Sequence, residues 1–451
     1  MFKLGQQISA TIEELTDKGD GIGRLNGKPL YVEGALPGEQ VEVLLTVVKP
    51  HFAQAKLLQV REPSAARRAD FCVYTACGGC QLRVMDYAEQ LRLKRQLLLE
   101  ALQAKGLECA VADTLGMSDP FHYRNKAQYA VRPGEQAEPQ LGFYAKYSHQ
   151  LVEVKECRAQ APVTTEVVAR VRTWMQEHKV TAYNELSQQG SVRHLMVRNG
   201  VNTGELMVVL VVAAEPSADD LAHLVQELSV IDGLTSIMLN SNSYQGNRVL
   251  GPDTRLLWGK EVIVDTLAGL QFAISAQSFY QINPQQTEAL YQEALRLAAP
   301  KADEVAFDLY CGIGTISLFL ARHARQVYGI EIVPEAVLDA RINAQLNGLT
   351  NVEFVEGAAE QVVPDLYTRG VSADLVVVDP PRKGCDQALL ETLIQMQPSR
   401  LVYVSCNPKS LARDLAWLTA RGFHLEQTTP VDMFPHTMHI EAVVLLTWQG
   451  E

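Results

Sequence analysis

Apolar positions recur along this chain with two periods, and the places where the period changes divide it into regions. Over residues 1–60 they alternate, in Gln7-Ile-Ser-Ala-Thr-Ile12, Pro29-Leu-Tyr-Val32 and the run from Gln40 to Val48. Alternation is what a strand buried on one face requires. Gly19, Gly21, Gly23 and Gly27, with Pro37-Gly38, break the runs, so the stretch predicts a small all-β barrel. Residues 86–105 switch to helical spacing, with Leu91, Leu98 and Leu102 on one face, the stripe of a helix packed on a core. Residues 120–270 read as β-rich with a few helices; Glu205–Val212 and Ser236–Asn240 are clear strands. In Val192–Arg198, alternation sets Arg193, Leu195 and Val197 against His194, Met196 and Arg198. Those basic residues suit phosphate contacts and surface strand charge equally.

From about residue 300 strands and helices alternate to the end. Val305–Tyr310 predicts a strand, Cys311-Gly312-Ile-Gly314-Thr315 a tight turn, and Ile316–Ala321 the start of a helix. Gln326–Glu331 is a second strand, ending in an acid nineteen residues after Gly312. This is the crevice of a Rossmann-type α/β sheet, with the acid placed for ribose hydroxyls. Ser317 stands where a third glycine would support a pyrophosphate turn. A cofactor with a ribose and no pyrophosphate fits better, and S-adenosylmethionine is that cofactor. Asp374–Asp379 predicts a buried strand stopped by Pro380-Pro381. A final pair of strands is expected around 423–432 and 439–448, the last antiparallel to its neighbours. The chain therefore divides into a barrel at 1–60, a central domain at 61–270 and an α/β domain at 271–451. Helix 86–105 is a candidate to pack on the last of these.

Two residues carry the expected chemistry. Leu401-Val-Tyr-Val-Ser-Cys-Asn-Pro408 puts Cys406 at the carboxyl end of a buried strand, where open α/β sheets bind ligands. Met438-His-Ile-Glu441 puts Glu441 at the mouth of another strand. A thiolate adding to carbon 6 of a uracil makes carbon 5 nucleophilic toward an activated methyl group, and a base must then remove the carbon 5 proton. Cys406 reads as the nucleophile and Glu441 as the base. A free thiol ionises near pH 8.5, so the site is expected to favour the thiolate, with help from exposed amides of the turn before the helix at 408. Cys311, in the glycine turn, and Cys385, beyond the Asp-Pro-Pro loop, read as packing.

Composition narrows the picture. No span is apolar enough to cross a membrane and the N-terminus has no signal-peptide core, so a cytoplasmic protein without membrane contact is expected. The net charge of −12 is not that of a typical nucleic-acid binder. Residues 1–105 nevertheless hold fourteen Lys and Arg against twelve Asp and Glu, with basic patches at Arg67-Arg68 and Arg92-Leu-Lys-Arg95. RNA binding would rest on such patches and on Tyr123-Arg-Asn-Lys126. No obligate protein partner is evident. Eight cysteines in a reducing compartment argue for metal or catalysis. Cys72, Cys77 and Cys80 fall within nine residues around Gly78-Gly79, and Cys157 is the best fourth ligand, with Cys109 as competitor. The Cys-x4-Cys-x2-Cys spacing is compatible with a [2Fe–2S] centre and with zinc.

Together these segments resemble the RNA (uracil-5-)-methyltransferase family, over essentially the whole chain. Gly19-Asp-Gly-Ile-Gly-Arg24 and Leu36–Val41 resemble the TRAM domain, an OB-like barrel found on RNA-modifying enzymes. Further matching segments are the Cys72–Cys80 cluster, Ser278-Phe-Tyr-Gln-Ile-Asn283, Asp308–Gly314, Asp379-Pro-Pro-Arg-Lys-Gly384, Ser405–Pro408 and His436–Glu441. The resemblance implies 5-methyluridine formation in RNA, with Cys406 as nucleophile and Glu441 as proton acceptor. It implies methyl-donor contacts at Gln281, Tyr310, Glu331 and Asp379, beside the Gly312–Gly314 turn and Thr315. It also implies a [4Fe–4S] cluster on Cys72, Cys77, Cys80 and Cys157, and that branch acts mainly on 23S ribosomal RNA. This chain has four residues between the first two cysteines where five are usual, and Arg83-Val84 where Gln-His is common. The alternatives are a tRNA uracil-5 enzyme, an RNA cytosine-5 enzyme, which would want a cysteine in its Asp-Pro-Pro-Arg loop, and a non-catalytic RNA-binding module.

Overall fold

The computed structural model describes residues 3–450. The N-terminal alternation becomes strands β1 (Gln7–Leu15), β2 (Asp20–Leu25), β3 (Lys28–Glu33), β4 (Gln40–Val48) and β5 (Ala53–Glu62), closed as a barrel in the order β1-β2-β3-β5-β4. Ile12, Leu30, Val32, Val41, Val43 and Leu45 fill it. Closure brings backbones close: a Cβ at Gly23 would lie 2.6 Å from the Thr11 carbonyl oxygen, so no side chain fits there.

Helix α1 (Tyr87–Gln103) is N-capped by the Asp86 side chain, and β6 (Ala110–Val111) follows. The central region then comprises β7 (Lys126–Pro133), β8 (Pro139–Tyr144), β9 (Leu151–Glu153), α2 (Val163–Glu177), β10 (Val192–Asn199), β11 (Leu206–Val212), α3 (Ala218–Leu228), β12 (Leu234–Ser241) and β13 (Asp253–Gly259). Its strands form one sheet in the order β13-β12-β11-β10-β7-β8-β9. Leu195 and Val197 pack in the core under α2 and α3, whereas Met196 enters the core shared with the C-terminal sheet. Strand β10 is thus covered on both faces. Arg193, His194 and Arg198 are 1%, 8% and 4% exposed, which overturns both readings of them as surface or phosphate-facing charge. A hairpin of β14 (Ile263–Leu267) and β15 (Leu270–Ile274) leads onward and packs its apolar side into that shared core.

The C-terminal elements are α4 (Pro284–Ala298), β16 (Val305–Leu309), α5 (Thr315–Ala321), β17 (Gln326–Glu331), α6 (Pro334–Leu346), β18 (Val352–Glu356), α7 (Ala359–Thr368), β19 (Leu375–Val378), α8 (Gln387–Met396), β20 (Arg400–Ser405), α9 (Pro408–Thr419), β21 (Phe423–Val431) and β22 (Glu441–Trp448). The sheet order is β18-β17-β16-β19-β20-β22-β21-β6. Helices α4, α5 and α6 cover one face and α1, α7, α8 and α9 the other. Strand β22 runs antiparallel between β20 and β21. Strand β6 pairs with β21, and Leu98 and Leu102 of α1 lie in the C-terminal core, so residues 87–111 extend this layer. The order reverses between β16 and β19, and a crevice opens at their carboxyl ends. Among the described residues no helix is long and apolar enough to cross a membrane.

Candidate active site

Strand β20 is apolar and buried until Ser405, and Cys406 is the next residue. The Asn407 side chain caps α9 by accepting from Lys409 N at 3.1 Å, and Pro408 takes the first helical position, so the thiol sits on a sharp strand-to-helix turn. On the neighbouring antiparallel strand Ser405 pairs with Ala442. The ladder ends there: Cys406 follows Ser405 and Glu441 precedes Ala442, so the two residues stand at the same end of the paired strands. Both residues line one cavity of about 600 Å³, with Gln281, Tyr310, Gly312, Glu331 and Asp379.

Burial pushes the Glu441 carboxyl well above its ordinary range; the Asp379 charge adds to this and Arg382 opposes it. Burial alone lifts Asp379 to about 6. The Cys406 thiol rises to about 11, from burial first and then from the charges of Glu441 and Asp379, with Arg382 again opposing. The expectation of a site that favours the thiolate is therefore not met: half-burial and two carboxylates outweigh the amides of the α9 turn. Among the described residues Arg382 is the one cation acting on both groups, and sequence reasoning gave it no role. Its carbonyl accepts from Asn407 Nδ2 at 2.8 Å and Ser410 Oγ at 3.0 Å, and its guanidinium lies 3.3 Å from His439 Nδ1.

The glycine turn lies across the crevice. Tyr310, Gly312 and Gly314 all have left-handed backbones, at φ of 66°, 55° and 82°. Glu331 braces the turn by accepting from Gly312 N and Val333 N, both at 2.9 Å. A Cβ on Gly314 would lie 2.8 Å from the Phe354 ring, so this glycine serves packing, whereas Gly312 faces open space in the cavity. The absent third glycine is offset from the strand side, because Gly329 leaves room for Ser317, whose hydroxyl donates to Asp308 at 2.5 Å. Thr315 lines a small adjoining recess with Gln281, Tyr310 and Asp379, and its hydroxyl lies 3.0 Å from that of Tyr291.

The roof of the cavity is the turn Ser275–Ser278, with Phe279 exposed beside it. Arg198 reaches out of β10 to donate to the carbonyls of Ala276 (3.3 Å) and Ser278 (2.5 Å), and Ser278 Oγ donates to Asp339 at 2.7 Å. The buried charge that looked like an RNA contact thus holds the roof. Alternation placed Arg198 on its face, but only the position of β10 as an inner strand shows what it meets.

A second cavity, of about 560 Å³, is lined by Cys72, Cys77, Cys80 and Cys157, with Gly78 and Gly79. Cys109 is elsewhere, on the C-terminal sheet with its sulfur 3.4 Å from Thr428 Oγ1. The close approach beside the second cavity is at Gly78, where a Cβ would lie 3.1 Å from the Lys146 Cα. Burial, and then mutual charge among the four, raises the Cys80 thiol to about 12. Among the described residues no group of three or more His, Cys, Asp or Glu is gathered closely enough to hold one metal ion. The four thiols share this one cavity, but the structure does not by itself show a metal site there. Arg124 and Lys126 line this cavity, and His439 lines both cavities. Tyr123 and Asn125 of the same basic cluster are buried and structural. Of the other basic patches, Arg67 pairs with Glu39, and Lys94 is buried against Asp432.

Residues 251–449 match the family model described as tRNA (Uracil-5-)-methyltransferase, and residues 2–58 that of the TRAM domain. A protein of Clostridium tetani (strain Massachusetts / E88) named "Uncharacterized RNA methyltransferase" is 44% identical over 96% of this chain and 95% of its own length. One of Halalkalibacterium halodurans with the same description is 45% identical over 97% and 96%. Among solved structures, the Pyrococcus abyssi tRNA (uracil-54, C5)-methyltransferase in complex with S-adenosyl-L-homocysteine superposes with a TM-score of 0.78 at 28% identity, covering 98% of this chain and 100% of that one.

Proposed function

The chain belongs to the RNA (uracil-5-)-methyltransferase family, and from that premise we propose that it methylates carbon 5 of a uracil in 23S ribosomal RNA through a covalent bond to Cys406. The observation that carries the chemistry is one cavity lined by both a thiol and a buried carboxyl, which stand at the same end of β20 and β22 and interact by charge. Tyr310, Gly312, Glu331 and Asp379 line the space that would hold S-adenosylmethionine, which would supply an activated methyl group and a positive charge to offset the carboxylates holding the proton on Cys406. The Cys406 thiolate adds to carbon 6 of the uracil, and the displaced electron pair makes carbon 5 nucleophilic. Once carbon 5 carries the methyl group, Glu441 accepts its proton; the C–H electrons form the 5,6 double bond and the C–S bond breaks, returning its pair to sulfur. The target base must leave its stack to reach Cys406.

The four cysteines are proposed to hold an iron–sulfur cluster, with Arg124 and Lys126 beside it for RNA phosphates. The cluster takes no part in methyl transfer. Such a cluster together with the TRAM barrel would favour the ribosomal substrate, because that branch of the family acts mainly on 23S RNA. A tRNA substrate is the second reading, favoured by the likeness to the Pyrococcus abyssi enzyme. Mass mapping of 5-methyluridine in both RNAs from a strain lacking this protein decides between them: loss from 23S RNA is expected, and loss from tRNA alone would replace it. Complementation with Cys406→Ala should restore no methylation while the purified variant still binds S-adenosylmethionine. Anaerobically purified protein should contain iron and sulfide, both lost from Cys80→Ser.

A further inference from the structure

Glu441 opens β22, paired with Val431, and the nine residues 432–440 that join β21 to β22 lead directly into it. This connection has no regular structure, and His436 within it has a left-handed backbone at φ 65°, a conformation unfavourable for a residue with a side chain. Its shape is set from outside, largely by α1. Lys94 Nζ donates to Asp432 Oδ1 at 2.5 Å and to the Phe434 carbonyl at 3.1 Å, with both charged side chains fully buried. Tyr87 donates to the other Asp432 oxygen at 2.8 Å. The Gln90 amide accepts from His436 N at 2.9 Å and lies 3.2 Å from the His436 ring nitrogen Nδ1. The same amide donates to the carbonyls of Leu82 and Met85, and Leu82 N donates to the His436 carbonyl at 2.9 Å.

A buried lysine–aspartate pair is a poor source of stability, because desolvating two charges cancels most of their attraction. Its geometric effect is large, since neither partner can shift without leaving a bare charge in an apolar site. Neither side chain lines the catalytic cavity. We propose that Lys94 and Gln90 are positioning residues for the proton-abstraction step: they hold the 432–440 connection in the one shape that points Glu441 at the carbon 5 proton of the RNA adduct. This rests on the uracil-5 reading above. The Cys406 nucleophile stands on β20 and α9, with no hydrogen bond to this network, so attack and methyl transfer should survive its loss while elimination slows.

The test uses the full-length protein, tritiated S-adenosylmethionine, and RNA from a strain lacking the protein. In Lys94→Met, turnover should fall roughly a hundredfold, the effect of misplacing a catalytic group by about 1 Å. The fraction of protein trapped on RNA in denaturing gels should rise at least tenfold, and S-adenosylmethionine affinity should stay within twofold. Gln90→Leu should show the same split more weakly, and Lys94→Arg should recover part of the rate. Because Lys94→Met strands Asp432, the doubly neutral Lys94→Met/Asp432→Leu variant guards against failure to fold and should also accumulate adduct. Adduct and turnover falling together, or a folded double variant that turns over at the wild-type rate, would overturn the inference. Wild-type protein that makes no 5-methyluridine in the same assay would instead remove the reading beneath it.

Discussion

The proton inventory of the cavity decides how its two reactive residues behave. Glu441 raises the Cys406 thiol through its charge, the largest contribution after burial. Removing that charge should therefore lower the thiol's pKa while leaving its burial in place. In Glu441→Gln, the alkylation rate of Cys406 by iodoacetamide, followed by mass spectrometry of its peptide, should reach half-maximum at a lower pH than in the wild type. An unchanged or higher midpoint would mean that the carboxyl does not face the sulfur. The same substitution leaves no group to take the carbon 5 proton, so it should trap RNA on Cys406. For the wild type, both reactive groups must lose protons that burial retains, so kcat/KM should climb from neutrality through pH 9 and not level off near 8.5 as an unperturbed thiol would allow.

Elements explain how a residue's setting can be read correctly and its partner missed. The Cys406 turn was legible because its signals are local: an apolar run, then Asn-Pro, which caps and opens a helix. The glycine turn was legible for the same reason. Cys406 and Glu441 were legible as nucleophile and base, but the register that brings them to one end of the sheet was not, because it depends on β22 inserting between β20 and β21 by long-range pairing. Strand β10 shows the limit from the other side. Its alternation holds, with Leu195 and Val197 in one core and Met196 in the other, yet period-2 patterning alone does not distinguish a strand with one wet face from one with none. Arg198 therefore passed for a surface charge while it was tying β10 to the roof of the donor crevice. Replacing it with methionine keeps the stem and strands the Ala276 and Ser278 carbonyls, a loss of about 1–3 kcal/mol for each buried group left unpaired. Arg198→Met should weaken S-adenosyl-L-homocysteine binding at least tenfold by calorimetry, with the thiol chemistry of Cys406 intact. Wild-type affinity in a folded variant would show that the roof is held by Ser278 and Asp339 alone.

At the scale of the whole molecule the requirements of the site and of the fold oppose each other. Burial raises Asp379 to about 6 and Asp308 to about 7, and pushes Glu441 well above its ordinary range. Unfolded, such carboxyls titrate near 4. Above about pH 4 these three groups keep protons in the native chain that they would lose on unfolding, so their contribution to stability falls as pH rises; His194 and His436, held by burial at about 3 and about 4, contribute with the opposite sign. A second group has the opposite sign. Burial works against Glu39, Glu293 and Glu304 as well, but pairing with Arg67, Arg296 and Arg400 outweighs it and holds them below their ordinary range. Their contribution is present above that range and is lost on acidification. Scanning calorimetry of the protein without methyl donor follows the balance of these groups between pH 5.5 and pH 7.5. In Glu441→Gln, which cannot ionise, the C-terminal transition should lose less, or gain more, between those pH values than in the wild type, while turnover is abolished. The same pH dependence in both proteins would mean that the Glu441 carboxyl is hydrated in the folded protein, and the raised thiol of Cys406 would lose part of its explanation with it.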